Sequence, residues 1–281
     1  MPSETRPSGT PAIVSTIATS QKGFFTDTTV CIGCKACEVA CKEWNGLPDD
    51  GFVFTAMSYD NTAALGASTW RHVSFVERPA ALQTQDTGLG EFSWLMMSDV
   101  CKHCQRAGCL EACPTGAIVR TEFDSVYVQP DICNGCGYRV VGCPFGVIDR
   151  REDDGRAWKC TLCYDRQKGG LEPACAKACP TDSIQFGDLD ELRERAHARV
   201  EELHERGLTD AYLYGADAAS QPGTEGLNAF FLLVDEPEAY NLPPEPVAPG
   251  KKAGRSWLSM AAAGAAMAVA AALAVVVGDR R

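Results

Sequence analysis

The sequence has no excess of basic residues: 26 Lys and Arg stand against 37 Asp and Glu, a formal charge of −11. A nucleic-acid binder usually needs a basic face, so the balance argues against that class. No Gly-rich phosphate loop follows a strand pattern, and neither GxSxG nor HExxH occurs. Nucleotide-binding, serine-hydrolase and zinc-protease chemistry therefore have no motif to stand on, and "GLG" at 88–90 is too short to count. The N-terminus "MPSETRPSGTPAIVSTIATS" lacks a basic stretch followed by an apolar core, so it is no secretory signal. Four His and 8% aromatics say little by themselves, while 281 residues suffice for one large domain or two smaller ones.

What the sequence does have is 15 Cys. A disulfide framework suits short secreted domains, and the count is odd. Structural zinc usually takes two Cys-x2-Cys pairs per metal. Here "CIGCKACEVAC" packs Cys31, Cys34, Cys37 and Cys41 into one run, and three later cysteines precede proline: Cys113-Pro114, Cys143-Pro144 and Cys179-Pro180. That is the C-x2-C-x2-C-x3-C-P pattern of two-cluster ferredoxins, and it points to iron–sulfur clusters.

The cysteines fall into four groups. The second is Cys101, Cys104, Cys109 and Cys113; the third is Cys133, Cys136 and Cys143; the fourth is Cys160, Cys163, Cys175 and Cys179. "CPTGAI", "CPFGVI" and "CPTDSI" repeat at the ends of the last three groups, each reading as a helix end leading into a strand. In a two-cluster ferredoxin the fourth Cys of each run binds the other run's cluster. Applied here, that rule predicts site A (Cys31, Cys34, Cys37, Cys179), site B (Cys41, Cys160, Cys163, Cys175), site C (Cys101, Cys104, Cys109, Cys143) and site D (Cys113, Cys133, Cys136). The expected fold class is α+β: two nested ferredoxin-like units with an insertion, a C-terminal extension and one transmembrane helix.

The boundaries follow. Residues 1–26 read as a flexible arm. Residues 27–45 with 155–187 form the first unit, and 96–154 form the second, inserted into it. Residues 46–95 make a cysteine-free insertion that either faces a partner or merely covers the core. The β-like pieces "FVFTAMSYDN" and "TWRHVSFVER" lie within it, and "SVYVQPDIC" at 125–133 reads as a strand. Residues 188–246 hold an amphipathic helix closed by Gly207, the strand "NAFFLLVDEP" and the stiff linker "NLPPEPVAPG". His197 and His204 on that helix stand among charged neighbours, which favours a solvated face over a haem or metal site.

Residues 255–279 read as a transmembrane anchor. The uncharged run from Trp257 to Gly278 would extend about 33 Å at about 1.5 Å per residue, enough to span the bilayer's hydrocarbon core. Lys251, Lys252, Arg255, Arg280 and Arg281 flank it on both sides, so charge does not fix its orientation. A soluble helix is the alternative.

Site D lacks a ligand. Four cubane clusters at four thiolates each would use one more cysteine than the 15 present. The position that should supply it is Arg139, whose guanidinium offers no lone pair to iron. A [3Fe–4S] cluster, an incompletely thiolate-ligated [4Fe–4S] cluster with an exogenous ligand, or no cluster would each accommodate this. An Arg139 that points away from a rearranged loop is the bland alternative.

With "CIGCKACEVACKEWN" first, "CKHCQRAGCLEACPTGAI" second and "CTLCYDRQKGGLEPACAKACPT" last, the chain resembles the iron–sulfur (beta) subunits of respiratory, membrane-bound formate dehydrogenases. The similarity runs from Gly23 onward and includes "YDNTAALGASTW" and "YNLPPEP". The resemblance implies a non-catalytic electron-transfer subunit with no catalytic residues of its own. It would relay electrons from a molybdopterin-containing alpha subunit, with molybdenum or tungsten, to a haem b membrane subunit and indirectly to quinone. It also implies an extracytoplasmic cluster domain anchored in the lipid bilayer through 257–278, with the cytoplasmic side as the alternative. The runner-up is the iron–sulfur subunit of another membrane oxidoreductase, such as a hydrogenase or a nitrate, polysulfide or sulfoxide reductase. A tethered stand-alone polyferredoxin is the third reading.

Overall fold

The computed structural model describes residues 20–79, apart from 50, 52, 53, 55 and 57–61, and residues 92–278. In chain order the strands are β1 (Lys22–Asp27), β2 (Arg71–Pro79), β3 (Phe92–Val100), β4 (Ile118–Arg120), β5 (Val126–Val128), β6 (Asp149–Arg150), β7 (Ala157–Trp158), β8 (Ile184–Asp188), β9 (Tyr212–Tyr214) and β10 (Ala229–Leu233). The helices are α1 (Ala36–Asn45), α2 (Gly108–Glu111), α3 (Tyr138–Gly142), α4 (Tyr164–Lys168), α5 (Ala174–Lys177), α6 (Leu189–Glu205) and α7 (Pro249–Gly278).

A four-stranded sheet in the order β8-β1-β10-β9 organises the rest. Its central strand β10 reads "AFFLL" and is buried at every residue, as a strand covered on both faces requires. In β1 successive side chains alternate between faces. Phe25 stacks on Phe230, ring centroids 5.4 Å apart, on the side where Leu189, Leu192, Ala196 and Leu203 of α6 are buried. Phe24 points the other way, into a core shared with Cys37, Cys41, Cys101, Cys160 and Cys175. One face of the sheet thus packs a helix, and both faces back cysteines, since the cluster around Phe25 also holds Cys104, Cys109 and Cys133.

The cysteine-bearing helices pair in a nested way: α1 packs on α5, and α2 packs on α3. Strands β4, β6 and β8 follow the three Cys-Pro steps. The α2–α3 crossing is close because it is made of glycines. A Cβ on Gly108 would lie 2.4 Å from the Gly142 carbonyl oxygen, and one on Gly142 would lie 2.7 Å from Ala112 Cβ. The insertion forms the hairpin β2–β3, in register from Arg71 opposite Val100 to Pro79 opposite Phe92. It covers the core rather than standing apart, with Val73, Met97 and Val100 almost fully buried and Trp70 stacked on Trp158. The boundary expected at 95 therefore cuts through a strand.

Other expectations are corrected as well. The arm drawn to residue 26 ends earlier, since Lys22 opens β1, whose backbone ladders hold it between β8 and β10. Residues 1–19 and most of "FVFTAMSYDN" lie outside the described residues. The stretch at 125–133 is only briefly a strand, because Pro130 starts a 3-10 turn over Pro130–Ile132. "NLPPEPVAPG" is not a free linker: Leu242 and Ala248 are buried, Tyr214 Oη donates to the Pro243 carbonyl, and Ala248 N donates to the Gly223 carbonyl.

Among the described residues no helix is long and apolar enough to cross a membrane. The anchor expected at 255–279, the bilayer contact through 257–278 and the single-pass membrane placement are corrected accordingly. Lys251 and Lys252 begin α7, and alanine and glycine fill most of its described turns, adding little apolar area per residue. Its start is tied down, with Gly250 N donating to Glu111 and Lys251 paired with Glu225 at 3.1 Å.

Gly142→Ala should force α2 and α3 apart at a cost of about 1–3 kcal/mol, the usual range for overpacking. Calorimetry should register a lowered thermal midpoint, whereas an unchanged midpoint would show slack in the crossing.

Candidate metal centre

The opening Cys-x2-Cys loop of each group has the same backbone device. The residue just before the second Cys is left-handed in all four: Gly33 at φ 65°, His103 at 44°, Gly135 at 69° and Leu162 at 57°. Such a turn gathers backbone N–H groups into a concavity suited to anions and to iron–sulfur centres. Glycine suits the first and third loops sterically as well. A Cβ on Gly33 would meet Met96 Sδ at 2.6 Å, and one on Gly135 would meet the Gly155 carbonyl at 2.4 Å. In the other two loops the surroundings hold a strained residue in place. Leu162 is fully buried, and the buried His103 accepts the Val126 N–H at Nδ1, 3.0 Å away.

The loops place the cysteines as follows. Cys31, Cys34 and Cys37 line a cavity of about 290 Å³, and Cys179 arrives at the same cavity from the far end of the region. Cys101, Cys104, Cys109 and Cys143 line a second cavity of about 320 Å³ together with Lys102 and Lys159. Cys41, Cys160, Cys163 and Cys175 are buried close enough for their charges to interact. Burial first, then Cys175, Cys160 and Cys163 push the Cys41 thiol up. Burial likewise pushes Cys37 and Cys163 up to about 11 and Cys109 to about 12. These sites thus hold negative charge only at a cost that a bound cation or a metal must offset.

Cys113, Cys133 and Cys136 differ. Burial works against ionisation at Cys113 and Cys133, yet hydrogen bonds outweigh it and both thiols sit below their ordinary range. At Cys133 the Ala157 N–H, 3.3 Å from the sulfur, contributes most, followed by the Gly135 N–H and the charge of Arg139. Arg139 does not point away: it is 1% exposed, on α3, beside Cys133. Among the described residues, none of its three guanidinium nitrogens makes a well-directed hydrogen bond. Cys136 is exposed.

Three further cations escape a reading of the sequence. Arg71, Lys102 and Lys159 are each no more than 2% exposed. Lys102 pairs with Asp99, and Lys159 donates to the carbonyls of Val126 (2.5 Å) and Cys160 (2.9 Å). Arg71 Nη2 donates to Cys175 Sγ at 3.2 Å. Lys102 and Lys159 each adjoin a cysteine in the sequence, a signal that could have been read. Arg71 lies in the insertion with no such mark.

Tetrahedral zinc with Zn–S near 2.3 Å would draw its four sulfurs to about 3.8 Å apart. Among the described residues no three Cys, His, Asp or Glu side chains gather around a single-ion position. His204 is engaged elsewhere, its Nε2 2.8 Å from the Ala211 carbonyl, and His197 is exposed. The sulfurs of two sets instead line one cavity each, beside N–H concavities and buried cations of the kind that would offset a cluster's negative charge. The donor set fits clusters of iron and sulfide, and the molecule is an iron–sulfur protein of ferredoxin type.

Comparison with known proteins agrees. Two families, each described as a 4Fe-4S dicluster domain, match residues 92–189 and 30–117. A formate dehydrogenase iron–sulfur subunit of Haemophilus influenzae is 42% identical over 224 residues, covering 78% of this chain and 68% of the relative. The iron–sulfur subunit of the nitrate-inducible formate dehydrogenase of Escherichia coli is also 42% identical, over 78% of this chain and 71% of its own. A subunit of the anaerobic dimethyl sulfoxide reductase of Escherichia coli is 33% identical, over 63% of this chain and 78% of its own. The protein belongs to the family of formate dehydrogenase iron–sulfur subunits, electron-transfer subunits without a catalytic site of their own.

Anaerobically purified protein should contain iron and acid-labile sulfide in nearly equal amounts. Stoichiometric zinc without sulfide would remove the iron–sulfur assignment.

Proposed function

We propose that the chain carries electrons from a molybdenum- or tungsten-pterin subunit that oxidises formate to a haem b partner subunit and, through it, to quinone. The identity of 42% to formate dehydrogenase subunits, against 33% to the dimethyl sulfoxide reductase subunit, supports formate over the alternatives. When bound, each cluster takes up and releases one electron at a time. Site A would hold one through Cys31, Cys34, Cys37 and Cys179. Site B would use Cys41, Cys160, Cys163 and Cys175, and site C Cys101, Cys104, Cys109 and Cys143. The observation that carries this reading is that Cys179 lines one cavity with the first group and Cys143 lines another with the second. That is the exchange of fourth ligands expected in a two-cluster ferredoxin.

These three sites suit [4Fe–4S] clusters, with four thiolates each. Site D offers only Cys113, Cys133 and Cys136. Arg139 brings a buried guanidinium beside Cys133 whose nitrogens make no well-directed hydrogen bond among the described residues, so donors remain for the sulfides of a cluster. A [3Fe–4S] cluster, which needs no fourth thiolate, fits this arrangement best; a [4Fe–4S] cluster with an incomplete thiolate set is the other form the site could take. The charge of Arg139 favours the reduced state.

Copurification should yield a large molybdopterin subunit, and formate should reduce the clusters in that complex. Isolation of the chain without such a partner would favour a free-standing polyferredoxin. In the oxidised protein, electron paramagnetic resonance should detect a [3Fe–4S] signal that Arg139→Cys converts to a four-iron spectrum. Cys31→Ser and Cys179→Ser should disturb one and the same cluster signal; two different signals would undo the pairing.

A further inference from the structure

Arg71 reaches the cysteine sites from β2, outside every cysteine group. Its guanidinium is 1% exposed and lies over the Phe24 ring, 4.8 Å from the centroid, which fixes its plane. Nη2 donates to Cys175 Sγ of site B at 3.2 Å. Nη1 donates to the Ser98 carbonyl at 3.1 Å and stands 3.5 Å from Ser98 Oγ. That hydroxyl is in turn 3.1 Å from Cys37 Sγ of site A. A continuous polar chain, Cys37–Ser98–Arg71–Cys175, therefore joins the two sites through one fixed positive charge. Both Arg71 and Ser98 come from the hairpin, so the insertion supplies the whole link.

We propose that Arg71 is a positioning residue for electron transfer, a shared counter-charge that holds the reduction potentials of sites A and B up together. The proposal rests on the cluster assignment made for those two sites. Adding one electron to either site adds one negative charge, and a cation within hydrogen-bond reach stabilises the more negative state. The step moves one electron, makes and breaks no bond and takes up no proton. Arginine suits the task because its guanidinium stays charged at all relevant pH, and its planar fork can address two partners at once. A lysine ammonium in the same place would keep the charge but not the fork.

Lys159 occupies the corresponding place one step along. It lines the Cys101 cavity of site C and donates to the Cys160 carbonyl of site B. Among the described residues no hydrogen bond carries it to site A, which makes it the internal control.

The test is a redox titration of the anaerobically purified holo-protein, followed by electron paramagnetic resonance, with iron and sulfide assayed in each variant. Signals are assigned to sites through Cys31→Ser and Cys163→Ser. Arg71→Gln should retain parental iron and sulfide and weaken the reduction of sites A and B at least tenfold, about 59 mV for one electron. Arg71→Lys should recover part of that shift. Ser98→Ala should move the site A signal and leave site B in place. Lys159→Met should move sites B and C and spare A. The proposal falls if Arg71→Gln shifts no signal, or shifts all of them equally. It also falls if Arg71→Gln and Arg71→Lys both lose iron, since the role is then structural. Absence of iron and sulfide from the parent protein would instead overturn the cluster assignment itself.

Discussion

Burying a positive charge is among the most expensive things a protein interior can do, and among the described residues it happens at four lysines and arginines. Arg71, Lys102, Arg139 and Lys159 are all no more than 2% exposed, and Arg71 and Arg139 head the fully buried side chains by size. Of these four only Lys102 has a carboxylate partner among the described residues, Asp99. The others face carbonyls, hydroxyls and cysteine sulfur, so the negative charge that justifies them must reside at the cysteine sites. At Arg71 and Lys159 burial alone would favour the neutral form, and the nearby cysteines outweigh it and favour the charged one.

The architecture serves that exchange of charge. The Phe25 face of the central sheet packs α6 and its cluster runs on to Cys104, Cys109 and Cys133, while the Phe24 face looks onto Cys37, Cys41, Cys101, Cys160 and Cys175. Strand β1 therefore stands between two apolar clusters, each of which includes cysteines of the candidate sites. Nesting the second unit inside the first, with α1 against α5 and α2 against α3, shares each cavity between distant segments. Loss of one segment then opens sites on both. The glycine crossing at Gly108 and Gly142 and the left-handed loop residues bring backbone close where side chains would intrude.

Much of this was legible because cysteine chemistry is local in sequence. Spacing identified the groups, the Cys-Pro steps announced β4, β6 and β8, and apolar periodicity located α6, whose closing Gly207 has φ 91°. What was not legible depends on tertiary placement. Nothing near Arg71 distinguishes it from a solvated arginine in a strand; only the docking of β2 carries it between Cys37 and Cys175. The proline-rich stretch before α7 looked free because its anchors, Tyr214 and Gly223, lie in other parts of the chain. For the helix at 249–278, a run without charges suggested more apolar character than its alanines and glycines deliver in the described turns.

Cys37 and Arg139 occupy corresponding positions in their groups, third after Cys31 and Cys34 in one and third after Cys133 and Cys136 in the other. Around Cys37 the thiol is retained and a cation arrives from outside, Arg71, linked to it through Ser98. At site D the cation comes from the ligand position itself, and the thiol is absent. A buried guanidinium beside cysteine sulfur is thus common to both ends of the cysteine array, supplied by different routes. The difference is in their partners: Arg71 is held by Ser98 and Cys175, while the nitrogens of Arg139 lie beside Cys133 without a well-directed hydrogen bond among the described residues. Arg71 thus commits Nη1 and Nη2 to protein groups, while its Nε makes no well-directed hydrogen bond among the described residues. The two arginines therefore differ in how far the protein itself fixes them: Arg71 through the hairpin and Cys175, Arg139 through burial beside Cys133.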